Sequence, residues 1–92
     1  MIRSYRNSAT ERFANGSKSR FGGMDERKAR LRLTQLSAAV TPQSLGGLNS
    51  MGLHMLSGNR AGQWAVTING RWRLVFRFEG ADAYDVEIVD YH

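Results

Sequence analysis

Residues 63–78, Gln63-Trp64-Ala65-Val66-Thr67-Ile68-Asn69-Gly70-Arg71-Trp72-Arg73-Leu74-Val75-Phe76-Arg77-Phe78, constrain the fold more than any other stretch. Apolar and polar side chains alternate through most of it, the period of a strand with one buried face. Asn69-Gly70 breaks the run and is a strong hairpin signal, favouring a type I′ turn. Trp64, Val66 and Ile68 share one face before the turn. Trp72, Leu74, Phe76 and Phe78 share one after it, with Arg71, Arg73 and Arg77 opposite. Glu79-Gly80-Ala81-Asp82 reads as a second turn, after which Tyr84, Val86 and Ile88 continue the apolar face and Asp85 and Glu87 oppose it. The expectation is a three-strand meander with an apolar side and an open, arginine-rich side.

The apolar side needs a cover, and the N-terminal half supplies it. Ile2-Arg3-Ser4-Tyr5 reads as a short first strand. Ser8-Ala9-Thr10-Glu11 matches a capping box opening a helix from Ala9 to Asn15, with Gly16 as its stop. Residues 16–23 form a basic, flexible loop carrying Lys18 and Arg20. Asp25-Glu26 opens the best helix, since acids in a first turn suit the helix dipole. Ala29, Leu33, Leu36 and Val40 make its apolar stripe, Arg27, Lys28, Arg30 and Arg32 lie mostly off it, and Pro42 ends it. Residues 41–52 should wrap one end of the sheet. Leu53-His54-Met55 is a short strand with His54 opposite its apolar neighbours. Helices first and a meander last predict one α+β domain over residues 1–92, with two N-terminal helices on one face of a mainly antiparallel sheet.

Charge sharpens the functional question. The net charge is +5 over 92 residues, and residues 1–32 hold nine Lys/Arg against three acids. Residues 33–57 carry no formal charge, and residues 58–92 carry four arginines against five acids. A compact basic domain suggests a polyanionic partner, with a merely solubilising surface as the alternative. Cysteine is absent, so thiolate metal sites and disulfides are excluded. No apolar run is long enough to span a bilayer and no signal-peptide pattern opens the chain, which together predict a soluble cytoplasmic protein.

Chemistry concentrates at few positions. His54 and His92 are the side chains whose ordinary pKa is nearest neutrality. On the arginine face the plain reading is cross-strand ion pairs with Asp85 and Glu87. The sharper one leaves one arginine to hold a phosphate, and mid-strand position favours Arg73 over Arg71. Asp90-Tyr91-His92 places three groups able to move or orient protons at the end of the sheet. No metal-ligand cluster, Gly-rich phosphate loop or nucleophile elbow is present, so neither metal nor cofactor is expected.

Leu53-His54-Met55-Leu56-Ser57-Gly58-Asn59-Arg60-Ala61-Gly62-Gln63-Trp64, Asn69-Gly70-Arg71-Trp72-Arg73-Leu74-Val75-Phe76 and Val86-Glu87-Ile88-Val89-Asp90-Tyr91-His92 together resemble the HigB toxins of the RelE/ParE superfamily. The resemblance extends along the whole chain and implies a RelE-like fold. It implies a ribosome-dependent endoribonuclease that cuts mRNA in the A site, without metal, by attack of a ribose 2′-hydroxyl on the adjacent phosphate. His54, Asp90, Tyr91 and His92 match that family's catalytic set, and Arg73 its phosphate-binding arginine. Arg60, Arg71, Arg73, Lys18 and Arg20 would bind RNA. Relatives can carry a lysine where this chain has Ser57, and Arg60 is the nearest substitute for its charge. The implied partners are a helix-turn-helix antitoxin of the HigA type, the 70S ribosome, mRNA and, through the antitoxin, operator DNA, with no membrane. A gyrase inhibitor of the ParE branch, a non-catalytic ribosome- or RNA-binding module, and an inactive member that binds only an antitoxin remain as alternatives.

Overall fold

A computed structural model describes residues 1–46 and 52–90. Its elements run α1 (Ser8–Ala14), α2 (Glu26–Ala38), α3 (Gln43–Gly46), β1 (His54–Met55), a single 3-10 turn (Gly58–Arg60), β2 (Trp64–Asn69), β3 (Trp72–Glu79) and β4 (Asp82–Asp90). The four strands pair antiparallel in the order β1-β2-β3-β4. Residues 1–6 add a parallel edge to β4 through bridges Ile2–Ala83 and Tyr5–Val86. The expected α+β architecture is therefore present, with the helices on one face.

The core lies between that face and the helices. Phe13 from α1 and Ala29, Leu33 and Leu36 from α2 pack with Val66, Ile68, Leu74, Phe76, Ala83, Val86 and Ile88. Burial of these side chains, each contributing roughly 1.5–3 kcal/mol when it leaves water, is the main force seating the helices. Thr10 is fully buried beside them, and its hydroxyl accepts from the Ile88 N–H at 3.1 Å, locking α1 to β4.

Several local expectations shift by one residue or one face. Asn7, not Ser8, caps α1: its Oδ1 accepts from the Thr10 N–H at 2.9 Å. Asn and Ser cap about equally well, and starting one residue earlier leaves Glu11 too deep to complete the box. Asp25, expected with Glu26 in the first turn of α2, instead precedes the helix as its cap, accepting from the Lys28 N–H at 3.0 Å. The helix stops at Ala38, before its stripe reaches Val40, which is 63% exposed while Ala39 is buried in its place. Arg32 turns out to lie on the buried side. It donates through Nε to the Thr67 carbonyl at 3.0 Å and through Nη1 to Gln35 Oε1 at 3.1 Å. The β2–β3 ladder slips between Thr67 and Asn69, and Arg32 supplies a donor where the ladder is interrupted.

That same slip moves the hairpin. Asn69 pairs with Trp72, so Gly70-Arg71 are the central residues, and only Gly70 has a positive φ, at +50°. Positive φ at the first central position alone is the type II′ pattern rather than type I′. Asn69 is used as a latch instead. Its Oδ1 accepts from the Asp25 N–H at 2.7 Å and its Nδ2 donates to the Gly23 carbonyl at 3.2 Å, tying the turn to the start of α2.

A second bulge rephases β4. Arg77 pairs with Tyr84 but Val75 with Glu87, so Phe76 faces two residues, and Asp85 takes a φ of +53°. Aspartate tolerates this left-handed conformation better than most residues. Ala83, not Tyr84, consequently joins Val86 and Ile88 in the core. Tyr84 sits on the opposite face, with the Arg77 guanidinium 5.6 Å from its ring centre.

Candidate active site

Register places the predicted residues. His54 pairs with Ala65, Ala65 with Val75, and Val75 with Glu87, forming one row across the face away from the helices. The next row on that face is Thr67, Arg73 and Val89. Strand spacing puts the Cα atoms of His54 and Arg73 roughly 12 Å apart, two strands over and two residues along.

His54 is exposed, and its Nδ1 lies 2.9 Å from the Gly52 carbonyl. A carbonyl can only accept, so this hydrogen bond requires a proton on Nδ1. Gly52 makes this possible in two ways. Its φ is +58°, and a Cβ there would meet Thr67 Oγ1 at 3.1 Å. Gly52→Ala is therefore expected to displace the carbonyl and free the His54 ring, changing the ring's NMR shifts while the melting temperature falls only a few degrees. Unchanged ring shifts would show that the ring needs no such anchor.

The arginines separate by partner. Arg77 binds Asp85 and Glu79, each at 2.9 Å, and the hydrogen bond to Asp85 pushes its pKa further above the ordinary arginine value. Arg71 binds Asp90 through Nε at 3.0 Å. Arg60 reaches Glu87 at 3.1 Å and Gln63 at 3.1 Å, while Arg6 approaches Glu87 at 3.7 Å. Arg60 starts beside β2 and ends on β4, so its side chain crosses β3, and Ala65 and Val75 beneath are fully buried. The face expected to be open is thus strapped at this point. Arg60, the nearest cation to Ser57, is held by a carboxylate.

Arg73 differs. Its Nη1 donates to the Gly70 and Trp72 carbonyls at 2.6 and 3.1 Å, and it has no carboxylate partner among the described residues. The guanidinium leans toward the hairpin turn, the end of the sheet where β4 finishes at Asp90. Its Nε–H and Nη2 remain available as the paired donors that suit a phosphate.

Asp90 stands apart from this face. It pairs with Trp72 and follows Ile88 in alternation, which puts it on the helix side at the sheet's end, where Arg71 holds it. The structure therefore brings His54 and Arg73 onto one face and Asp90 to the margin. Tyr91 and His92 lie outside the described residues. Lys18 and Arg20 are remote from the sheet face, lining a cavity beside α1 with Arg12, Ser17 and Ser19. Sequence reasoning missed Gly52, the Arg60–Glu87 strap and Arg12. A glycine two residues before the histidine was the only visible signal for the first. Among the described residues no three His, Asp or Glu side chains converge as metal ligands.

Residues 3–92 match the family model of HigB-like toxins, described as RelE-like toxins of the type II toxin–antitoxin system HigB. The chain belongs to this HigB-like toxin family. A relative, the endoribonuclease HigB of Proteus vulgaris, is 40% identical over 60 residues. That alignment covers 63% of this chain and 65% of the relative, so more than a third of each lies outside it. Within the HigB-like family, this chain is one in which a glycine-anchored histidine and an arginine with no carboxylate partner among the described residues share a sheet face.

Proposed function

We propose that this protein is a ribosome-dependent endoribonuclease that cuts mRNA in the A site, and that an antitoxin encoded with it restrains this activity in the cytoplasm. The observation that carries the reading is the placement on one face of His54, held through Nδ1 at the Gly52 carbonyl, and Arg73, which has no carboxylate partner among the described residues. Membership of the HigB-like family and the similarity to an endoribonuclease support it.

The chemistry is transfer of a phosphodiester to a neighbouring hydroxyl. His54 Nε2 takes the proton from a ribose 2′-hydroxyl, whose oxygen attacks the adjacent phosphorus. The bond to the 5′-oxygen breaks, and that oxygen leaves with a proton, producing a 2′,3′-cyclic phosphate and a 5′-hydroxyl. Arg73 faces the non-bridging oxygens, where negative charge grows, through Nε–H and Nη2. Proton delivery to the leaving oxygen falls to the segment Asp90-Tyr91-His92, with His92 as the donor and Tyr91 orienting the base. Arg71 positions Asp90, holding the last residue of β4 at the site's margin. A base and an acid together contribute about 10²–10⁴-fold each.

Purified protein added to programmed 70S ribosomes is expected to give discrete cuts within the A-site codon, with the same mRNA uncut when free. Uncut message together with inhibited supercoiling by gyrase would replace this reading with that of the ParE branch.

A further inference from the structure

The strongest feature outside the sheet face is the cavity beside α1. It has a volume of about 220 Å³ and is lined by Ala9, Arg12, Ser17, Lys18, Ser19 and Arg20. No carboxylate lines it, and Arg12, Lys18 and Arg20 make no ion pair among the described residues. This contrasts with the sheet, where Arg60, Arg71 and Arg77 are each held by an acid. Three exposed cations with no ion-pair partner among the described residues give this hollow a positive potential that favours an anion.

The hollow is also prebuilt, although its sequence reads as a flexible loop. Arg30 clasps its first half, donating through Nη1 to the Phe13 carbonyl at 2.9 Å and through Nη2 to the Ser17 carbonyl at 3.0 Å. The same guanidinium lies 4.1 Å from the Phe13 ring centre. The second half is pinned by Phe21, which packs edge-on between Phe13 at 6.2 Å and Trp72 at 5.6 Å. Ser19 Oγ accepts from the Phe21 N–H at 3.0 Å, so its own O–H is left to donate. Fixed walls reduce the entropy lost when a ligand settles.

From this geometry we infer that the cavity is a second phosphate-binding site, taking the backbone of RNA at Arg12, Lys18, Arg20 and the Ser19 hydroxyl. The site deepens the endonuclease reading by adding a sequence-independent anchor. Its distance from the face bearing His54 and Arg73 means that it grips RNA other than the nucleotide being cut. Phe21 against Trp72 links the two regions, since Trp72 pairs with Asp90 and precedes Arg73.

The test is equilibrium binding of a fluorescein-labelled single-stranded RNA to the full chain, by anisotropy across a salt series. Three phosphate contacts contribute a slope of about 2 in log K against log salt on a single strand. The triple variant R12Q/K18Q/R20Q is expected to lose about that much slope and at least tenfold affinity at low salt. All three side chains are exposed, and Lys18→Glu provides a single-site variant that should weaken binding in the same direction. An unchanged slope in both variants overturns the site. Inorganic phosphate is the second probe: if it shifts the amide signals of residues 17–20 while RNA does not, the cavity takes only free anions and the inference fails. Displacement of nothing by RNA but tight capture of an acidic polypeptide there would make it a protein seat and also overturn it. The assay is blind to cleavage. Pocket-dependent RNA binding by a protein that cuts nothing keeps the site and removes the nuclease, and a cutting protein with an unchanged slope does the reverse.

Discussion

Replacing His54 with glutamine is expected to lower single-turnover cleavage of ribosome-bound mRNA by roughly 10²–10⁴-fold, the contribution of a positioned general base. The side chain is exposed and its one hydrogen bond among the described residues is to Gly52, so the melting temperature should hold within a few degrees. A rate within threefold of the parent would remove His54 from the chemistry and shift the base to the segment after Val89. Gly52→Ala should reproduce part of the loss without touching the ring itself. The ratio between the two variants measures how much of the effect is orientation and how much is the proton.

The architecture was legible in the sequence because the signals were redundant. Alternation, the Asn69-Gly70 hairpin signal and the apolar stripe of α2 each point to helices on a meander, and that arrangement is present although the turn sits one residue later and Val40 falls beyond the helix. What was not legible depends on single residues inserted into the ladder. The slip between Thr67 and Asn69 converts Asn69 from a turn residue into a latch on Asp25. The bulge at Asp85 exchanges Ala83 for Tyr84 in the core. A period-2 pattern carries no mark of an extra residue until its far side is known, and every face assignment beyond it inverts.

The site was partly legible for a related reason. Register, which follows from the hairpins, puts His54 and Arg73 on one face. It also puts Asp90 on the other, which the tail's sequence alone did not reveal. Partner choice was less visible. Which arginine stays without an acid depends on contacts between residues 27 apart in Arg60–Glu87, and no local pattern encodes that. Arg32 shows the same limit: it sits in a run of surface-like cations, and only the interrupted ladder opposite explains its burial.

Arg73→Gln is the companion experiment, and it separates charge from geometry. Removing a preorganised donor aimed at a phosphate's developing charge is expected to cost about 10²–10³ in the single-turnover rate. Arg73 also bonds the Gly70 and Trp72 carbonyls, so the fold should lose on the order of 1 kcal/mol, or about 4–8 °C in melting temperature. Rates must therefore be compared well below the transition. Arg73→Lys restores the charge without the planar fork, and should recover only part of the rate. Arg71→Gln is the control for position. Its partner is Asp90, so its loss should act on β4's last residue and leave the phosphate's neutralisation at Arg73 in place. If Arg71→Gln proves as damaging as Arg73→Gln, and Arg73→Lys is fully active, the arginine at the phosphate is not Arg73. The ion pair at Asp90 would then have to open when RNA binds, and Arg71 would be the group released to meet it.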